Sequence, residues 1–150
     1  MTAYQTVVVG TDGSDSSYLA VDKAARIAAD AGATLVIACA YHPARPDEVN
    51  RATDELGTDV AYQVVGSTPA EDSVRTAAER ARKQGATKID TVVVDGEPVP
   101  TLTKIVQERD ADLLVVGNRG LNTLAGRILG SVPSEAARKS KVDVLIVHTT

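Results

Sequence analysis

Apolar residues fall along the chain in short unbroken runs, separated by longer stretches in which alanine recurs near helical spacing. Thr6–Val9, Thr34–Ala40 and Leu113–Val116 are runs of the first kind, and Val142–Val147 is one interrupted only by Asp143. Unbroken rather than alternating hydrophobicity marks strands covered on both faces, as in a parallel sheet. A shorter run, Thr91–Val94, is framed by Asp90 and Asp95 and reads as a fifth strand. Ser17–Ala31 carries Leu19, Ala20, Ala24, Ile27 and Ala28 close to helical spacing and stops near Gly32. Pro69–Gln84 opens on a proline and ends before Gly85; Pro100–Arg109 reads as a third helix and Val132–Ser140 as a fourth. Strict alternation of strand and helix predicts right-handed crossovers and a doubly wound α/β fold with helices on both faces of a five-stranded parallel sheet. A single domain spanning residues 1–150 is expected.

His42 to Gly66 breaks the pattern. Pro43 and Pro46 interrupt it early, and Asp47–Leu56 has the makings of a short helix. The segment exceeds the usual connection length, so it reads either as a lid over a binding crevice or as a solvated insertion. Composition sharpens the picture in a few places. Hydrophobic residues make up 43% and charged residues 24%, as in an ordinary globular protein. With no Phe or Trp, the core is built from Ala, Val, Leu and Ile. A net charge of −4 argues against nucleic acid or an anionic membrane as partner. No apolar run approaches the roughly 18 residues of a membrane span, and no signal peptide opens the chain. One cysteine, Cys39, precludes an internal disulfide and reads as a small strand hydrophobe, so a cytoplasmic location is expected.

The chemistry concentrates after the fourth strand. Gly117, Asn118, Arg119 and Gly120 follow the Leu113–Val116 run, and nine residues separate Gly120 from Gly130-Ser131, which leads into the last helix. A buried strand opening into a glycine-rich loop and then a helix start is how α/β proteins hold phosphates. Glycine permits positive φ and close approach of the backbone to an anion. The first N–H groups of the helix, at Ser131 and Val132, lack internal partners and sit at the positive end of its dipole. Ser131 is placed as an N-cap whose hydroxyl is also suited to a phosphate, while Pro133 removes one donor from the turn. Arg119 and Arg127 are loop cations, each either solvated or balancing phosphate charge. Gly10, Thr11 and Asp12 follow the first strand. They read as a capped strand-to-helix turn or, if that turn borders the same loop, as a place where Asp12 accepts hydrogen bonds from a ribose or holds magnesium through water. No Lys precedes Ser131, so this is not a G-x-x-x-x-G-K-S/T phosphate loop, and no hydrolase elbow or catalytic triad is apparent. His42 and His148 stand apart from any ligand-spaced cluster, and no structural zinc site is expected.

The spacing G-x2-G-x9-G-S/T, filled by Gly117, Gly120, Gly130 and Ser131, resembles the ATP-binding signature of the universal stress protein family. Val7-Val8-Val9-Gly10-Thr11-Asp12-Gly13-Ser14 is similar to that family's first strand and turn, and Val142–Val147 to its last strand. The resemblance implies the strand order 3-2-1-4-5, with a switch point between the first and fourth strands. It implies that Asp12 meets the adenosine side of a nucleotide and that the backbone of Ala40 contacts adenine. Tyr41 reads as local packing or as a stacking surface. The function so implied is adenine-nucleotide binding in a stress or regulatory role, with ATP as ligand, magnesium as a companion, and no fast turnover. Cyclic AMP, a slow hydrolase or phosphotransferase, and a flavodoxin-like electron carrier are the alternatives, the last disfavoured by the want of aromatic residues. The final strand, apolar enough for burial on both faces and placed at a sheet edge by the implied order, is expected to pair with its own copy in a homodimer.

Overall fold

The computed structural model describes residues 2–41, 67–118 and 131–149. The lid and the short helix expected within 42–66 lie outside these residues. Within them the chain runs β1 (Thr6–Gly10), α1 (Asp15–Ala31), β2 (Thr34–Tyr41), α2 (Ser67–Lys83), β3 (Ile89–Asp95), α3 (Pro98–Glu108), β4 (Leu113–Gly117), α4 (Ser131–Lys139) and β5 (Asp143–Val147). All four strand pairings are parallel, and the sheet has the order β3-β2-β1-β4-β5. The expected fold class and strand order are both present.

Successive strand residues point to opposite faces, and the core divides accordingly. Val7, Val9, Leu35, Ile37, Leu113 and Val115 pack under α1 and α2, whose contributions are mostly alanines such as Ala20, Ala24, Ala77 and Ala81. Val8, Val36, Ala38, Leu114 and Val116 pack under α3 and α4, meeting Val99, Leu102, Ile105 and Ala136. Coverage from both sides leaves Val7–Val9 and Leu114–Val116 essentially inaccessible to solvent, which is why these strands read as unbroken apolar runs.

Local chemistry sets the helix ends. Ser14 caps α1 by accepting from Ser17 N at 3.1 Å, and Gly32 ends the helix at φ 66. α3 begins at Pro98, earlier than the expected Pro100, because proline at a first-turn position lacks only an N–H that has no helical partner anyway. β3 extends beyond Thr91–Val94 to include Asp90 and Asp95. An edge strand has one open side, so both carboxylates sit exposed in extended backbone. β5 also departs from expectation, since it is not buried on both faces. Val144, Leu145 and Val147 are half-buried, and Ile146 remains 44% exposed. α4 includes Ser131 in its described span, and the residues before it lie outside the described residues.

Candidate functional site

β1 and β4 lie side by side at the centre of the sheet, and their crossovers leave in opposite directions, to β2 and to β5. The segments that follow both strands therefore flank one crevice, the place where open α/β sheets bind ligands. Gly10 ends β1 with Thr11 and Asp12 next in the chain, Ala40 lies one residue before the end of β2, and Gly117 ends β4 with Asn118 next. α4 begins at Ser131 after the loop that leaves β4. Arg119, Gly120, Arg127 and Gly130 lie outside the described residues.

The turn after β1 is organised by a chain of hydroxyl hydrogen bonds whose direction follows from the acceptors. Gly13 N donates to Thr11 Oγ1 at 3.1 Å, Thr11 Oγ1 and Ser17 Oγ are 2.7 Å apart, and Ser17 Oγ donates to the Ser14 carbonyl at 2.9 Å. A carbonyl oxygen only accepts, so the single Ser17 proton is spent on Ser14 and Thr11 is the donor to Ser17. Thr11, expected in the sequence to be a site residue, is thus buried and engaged within the turn. Asp12 Oδ1 accepts from Ser14 N at 2.9 Å, a local Asx turn, and Asp12 itself is partly exposed at the crevice. The capped-turn reading of Gly10–Ser14 is therefore realised in full, with Asp12 Oδ2 making no hydrogen bond among the described residues. Positive φ appears here, at Gly13 (φ 83), and not at Gly117, which ends β4 in ordinary extended backbone.

Ala40 owes its position to strand length. Thr11 N donates to Ala38 O at 2.9 Å, so Ala38 turns its main-chain groups toward β1. By alternation Ala40 faces the same side. The β1–β2 pairing ends with Gly10 opposite Ala38, so the amide and carbonyl of Ala40 point past the end of β1. Tyr41 faces the other way. Its carbonyl accepts from Gly96 N at 2.9 Å and its ring packs against the core, the local role expected of it. Cys39, just before Ala40, is buried in the core under α1 and α2, and desolvation followed by the nearby Asp12 carboxylate pushes its thiol up to about 11.

Asn118 extends the β4–β5 ladder in an unusual manner. Its N–H donates to Val147 O at 2.9 Å, as a parallel ladder requires. The next rung would bring Thr149 N to the Asn118 main-chain carbonyl; instead Thr149 N donates to Asn118 Oδ1 at 2.9 Å. Thr149 Oγ1 donates to the same oxygen at 2.9 Å, and lies 2.7 Å from Ser16 Oγ in the first turn of α1. Thr149 and Ser16 had no signal in the sequence, because their partners are brought near by sheet register alone. A cleft of about 270 Å³ between the ends of α3 and α4, lined by Val106, Ala111, Lys139, Lys141 and Val142, lies at the opposite end of the sheet and touches none of the site residues. Among the described residues no cluster of three or more metal-ligating side chains occurs, and no helix is long and apolar enough to cross a membrane.

An open doubly wound parallel sheet with a hydroxyl-rich turn after β1, beside the end of β4 at its switch point, defines a class of small-ligand-binding α/β proteins. The chain belongs to the universal stress protein family, whose model matches residues 3–148. Universal stress protein Rv1636 of Mycobacterium tuberculosis is 54% identical over 150 residues, with all of both chains covered. A universal stress protein crystallised in complex with cAMP is 50% identical, with 99% of this chain and 100% of that chain covered and a TM-score of 0.77. The crystal structure of protein Rv1636 gives 47% identity, coverage of 100% and 99%, and a TM-score of 0.61.

Proposed function

We propose that the chain is an adenine-nucleotide-binding protein that holds its ligand as a signal or store rather than consuming it. The observation that carries this reading is the switch point itself: β1 and β4 are adjacent at the centre of the sheet, Asp12 lies in the turn after β1, Ala40 lies beyond the last β1–β2 pairing, and Asn118 directly follows β4. In this reading the projecting main-chain groups of Ala40 meet the adenine edge and Asp12 meets the ribose. Gly117, Asn118, Gly120, Gly130, Ser131 and Val132 surround the phosphates, with Arg119 and Arg127 balancing their charge. ATP is the ligand implied by the glycine spacing, accompanied by magnesium. Cyclic AMP is the second reading, favoured by the half-identical universal stress protein that was crystallised with it. The absence from the sequence of a Lys before Ser131 supports binding without rapid hydrolysis, since γ-phosphate chemistry needs charge stabilisation and an oriented water. A single cytoplasmic domain, paired through β5 with a second copy, completes the proposal.

Mass spectrometry of nucleotide released from freshly purified, denatured protein, followed by calorimetric titration with ATP and cyclic AMP, tests it. An adenine nucleotide in the released fraction and saturable binding of at least one of the two are expected. Turnover of ATP should fall far below roughly 1–1,000 per second. Failure to bind any adenine nucleotide overturns the reading, and rapid phosphate release abolished by Asp12→Ala overturns its binding-only part.

A further inference from the structure

Three hydroxyl and amide groups tie together the segments that flank the crevice. Because Thr149 Oγ1 gives its one proton to Asn118 Oδ1, the 2.7 Å contact with Ser16 is a bond from Ser16 to Thr149. The result is a directed chain, Ser16 O–H to Thr149 O–H to Asn118 Oδ1, in which each bond polarises the next. The orientation of the Asn118 amide is fixed by chemistry as well as by geometry, since the Thr149 main-chain N–H can only donate and so faces oxygen. The consequence for the backbone is specific. The side-chain carbonyl of Asn118 fills the rung its main-chain carbonyl would otherwise occupy. The Thr149 N–H is thereby satisfied without the Asn118 main-chain carbonyl.

We propose that Thr149 and Ser16 are positioning residues for the phosphate side of the nucleotide site. Through Asn118 they fix where and in which direction the chain leaves β4, and through Ser16 they hold that point at a set separation from the first turn of α1. This inference rests on the nucleotide-binding reading given above. Gly117 fits the same role, since a β-carbon there would stand 3.4 Å from Thr149 Cγ2, so the segment after β5 lies against the end of β4 at van der Waals distance. Adenine and ribose contacts, made from Ala40 and Asp12, do not pass through this chain of bonds, which predicts a split between ligands with and without phosphate.

The experiment compares wild type, Thr149→Val, Thr149→Ser and Ser16→Ala by calorimetric titration with ATP, cyclic AMP and adenosine, with thermal melting of each variant alongside. Thr149→Val removes the hydroxyl while keeping the main-chain bond and the shape. It should weaken binding of the phosphate-bearing ligands about tenfold, as expected for loss of one to two coupled hydrogen bonds, and leave adenosine within about twofold. Thr149→Ser should restore wild-type affinity, and Ser16→Ala should fall between. If wild type binds none of these ligands, the nucleotide reading itself has failed. If wild type binds and Thr149→Val binds all ligands equally well, or loses adenosine in the same proportion, the positioning role is overturned.

Discussion

Gly13 shows how much a single hydrogen atom in place of a side chain can matter. Its φ of 83 lies in the left-handed region, and a β-carbon there would collide with Ser73 Oγ, which is itself bonded to the Pro69 carbonyl at 2.8 Å. Gly32 shares the positive φ but has open space around it. Gly32→Ala should therefore cost about 1 kcal/mol from backbone strain alone, and Gly13→Ala about 2 kcal/mol or more. Urea denaturation of both variants checks this, and a Gly13→Ala no less stable than Gly32→Ala would contradict it. The sequence points to the loop glycines Gly117, Gly120 and Gly130 as needing special backbone; Gly120 and Gly130 lie outside the described residues, Gly117 has ordinary extended backbone, and Gly13 carries a positive φ, a distinction invisible to residue type. Cys39 yields a pH prediction. Its folded thiol titrates near 11 against an ordinary value of 9.0, so its contribution to stability is fully present below pH 9 and is lost as pH rises toward 11. Wild type should lose stability over that window more steeply than Cys39→Ala. Native Cys39 should also resist iodoacetamide at pH 8, because the thiolate is the reactive form.

At the scale of elements, α1 and α2 are joined by more than alanine packing. Asp22, buried on α1, receives a two-pronged bond from Arg80 on α2, at 3.1 and 2.6 Å, and the guanidinium also lies 5.3 Å from the centre of the Tyr18 ring. Arg80 is 37% exposed, which screens the pair. Asp22→Asn keeps one acceptor and removes the charge, so a loss of about 1 kcal/mol in chemical denaturation is expected, and no change would show the bond to be inert. Elements of this kind were legible wherever a single helix or strand carried its own pattern. The runs at Val7–Val9 and Leu113–Val116 announced strands covered on both sides, and Gly32 announced the end of α1. β3 was shortened in the reading because Asp90 and Asp95 look like terminators until the strand is known to have an open edge. Register, strand order and the Asn118–Thr149 bonds could not be read, since period-two patterning says which face a residue takes and nothing of its neighbour across the ladder.

For the molecule as a whole, β5 is the strand with unfinished business. Among the described residues it pairs with β4 alone, and its Ile146 side chain is 44% exposed. On the adjoining helix α1, Leu19 is 47% exposed. Pairing of two β5 edges about a two-fold axis would satisfy their main-chain groups and cover such side chains. Light scattering at micromolar concentration should report a dimer, and Ile146→Lys should shift it to monomer while leaving the fold intact. Leu145→Lys is the poorer probe, because Leu145 packs against the core and its loss would confound association with folding. A monomeric wild type would end the proposal, and a dimer indifferent to Ile146→Lys would move the interface elsewhere.

The rung supplied by the Asn118 side chain has a consequence for anyone recombining members of the family. It places the seam between the sheet and the segment proposed to hold phosphate after residue 118, not after β4 as secondary structure alone would suggest. A chimera that imports a foreign loop beginning at 117 discards the group that completes the ladder to Thr149, whereas one beginning at 119 leaves that join closed. Loop exchange cut at the later point should therefore give folded proteins whose ligand preferences travel with the graft.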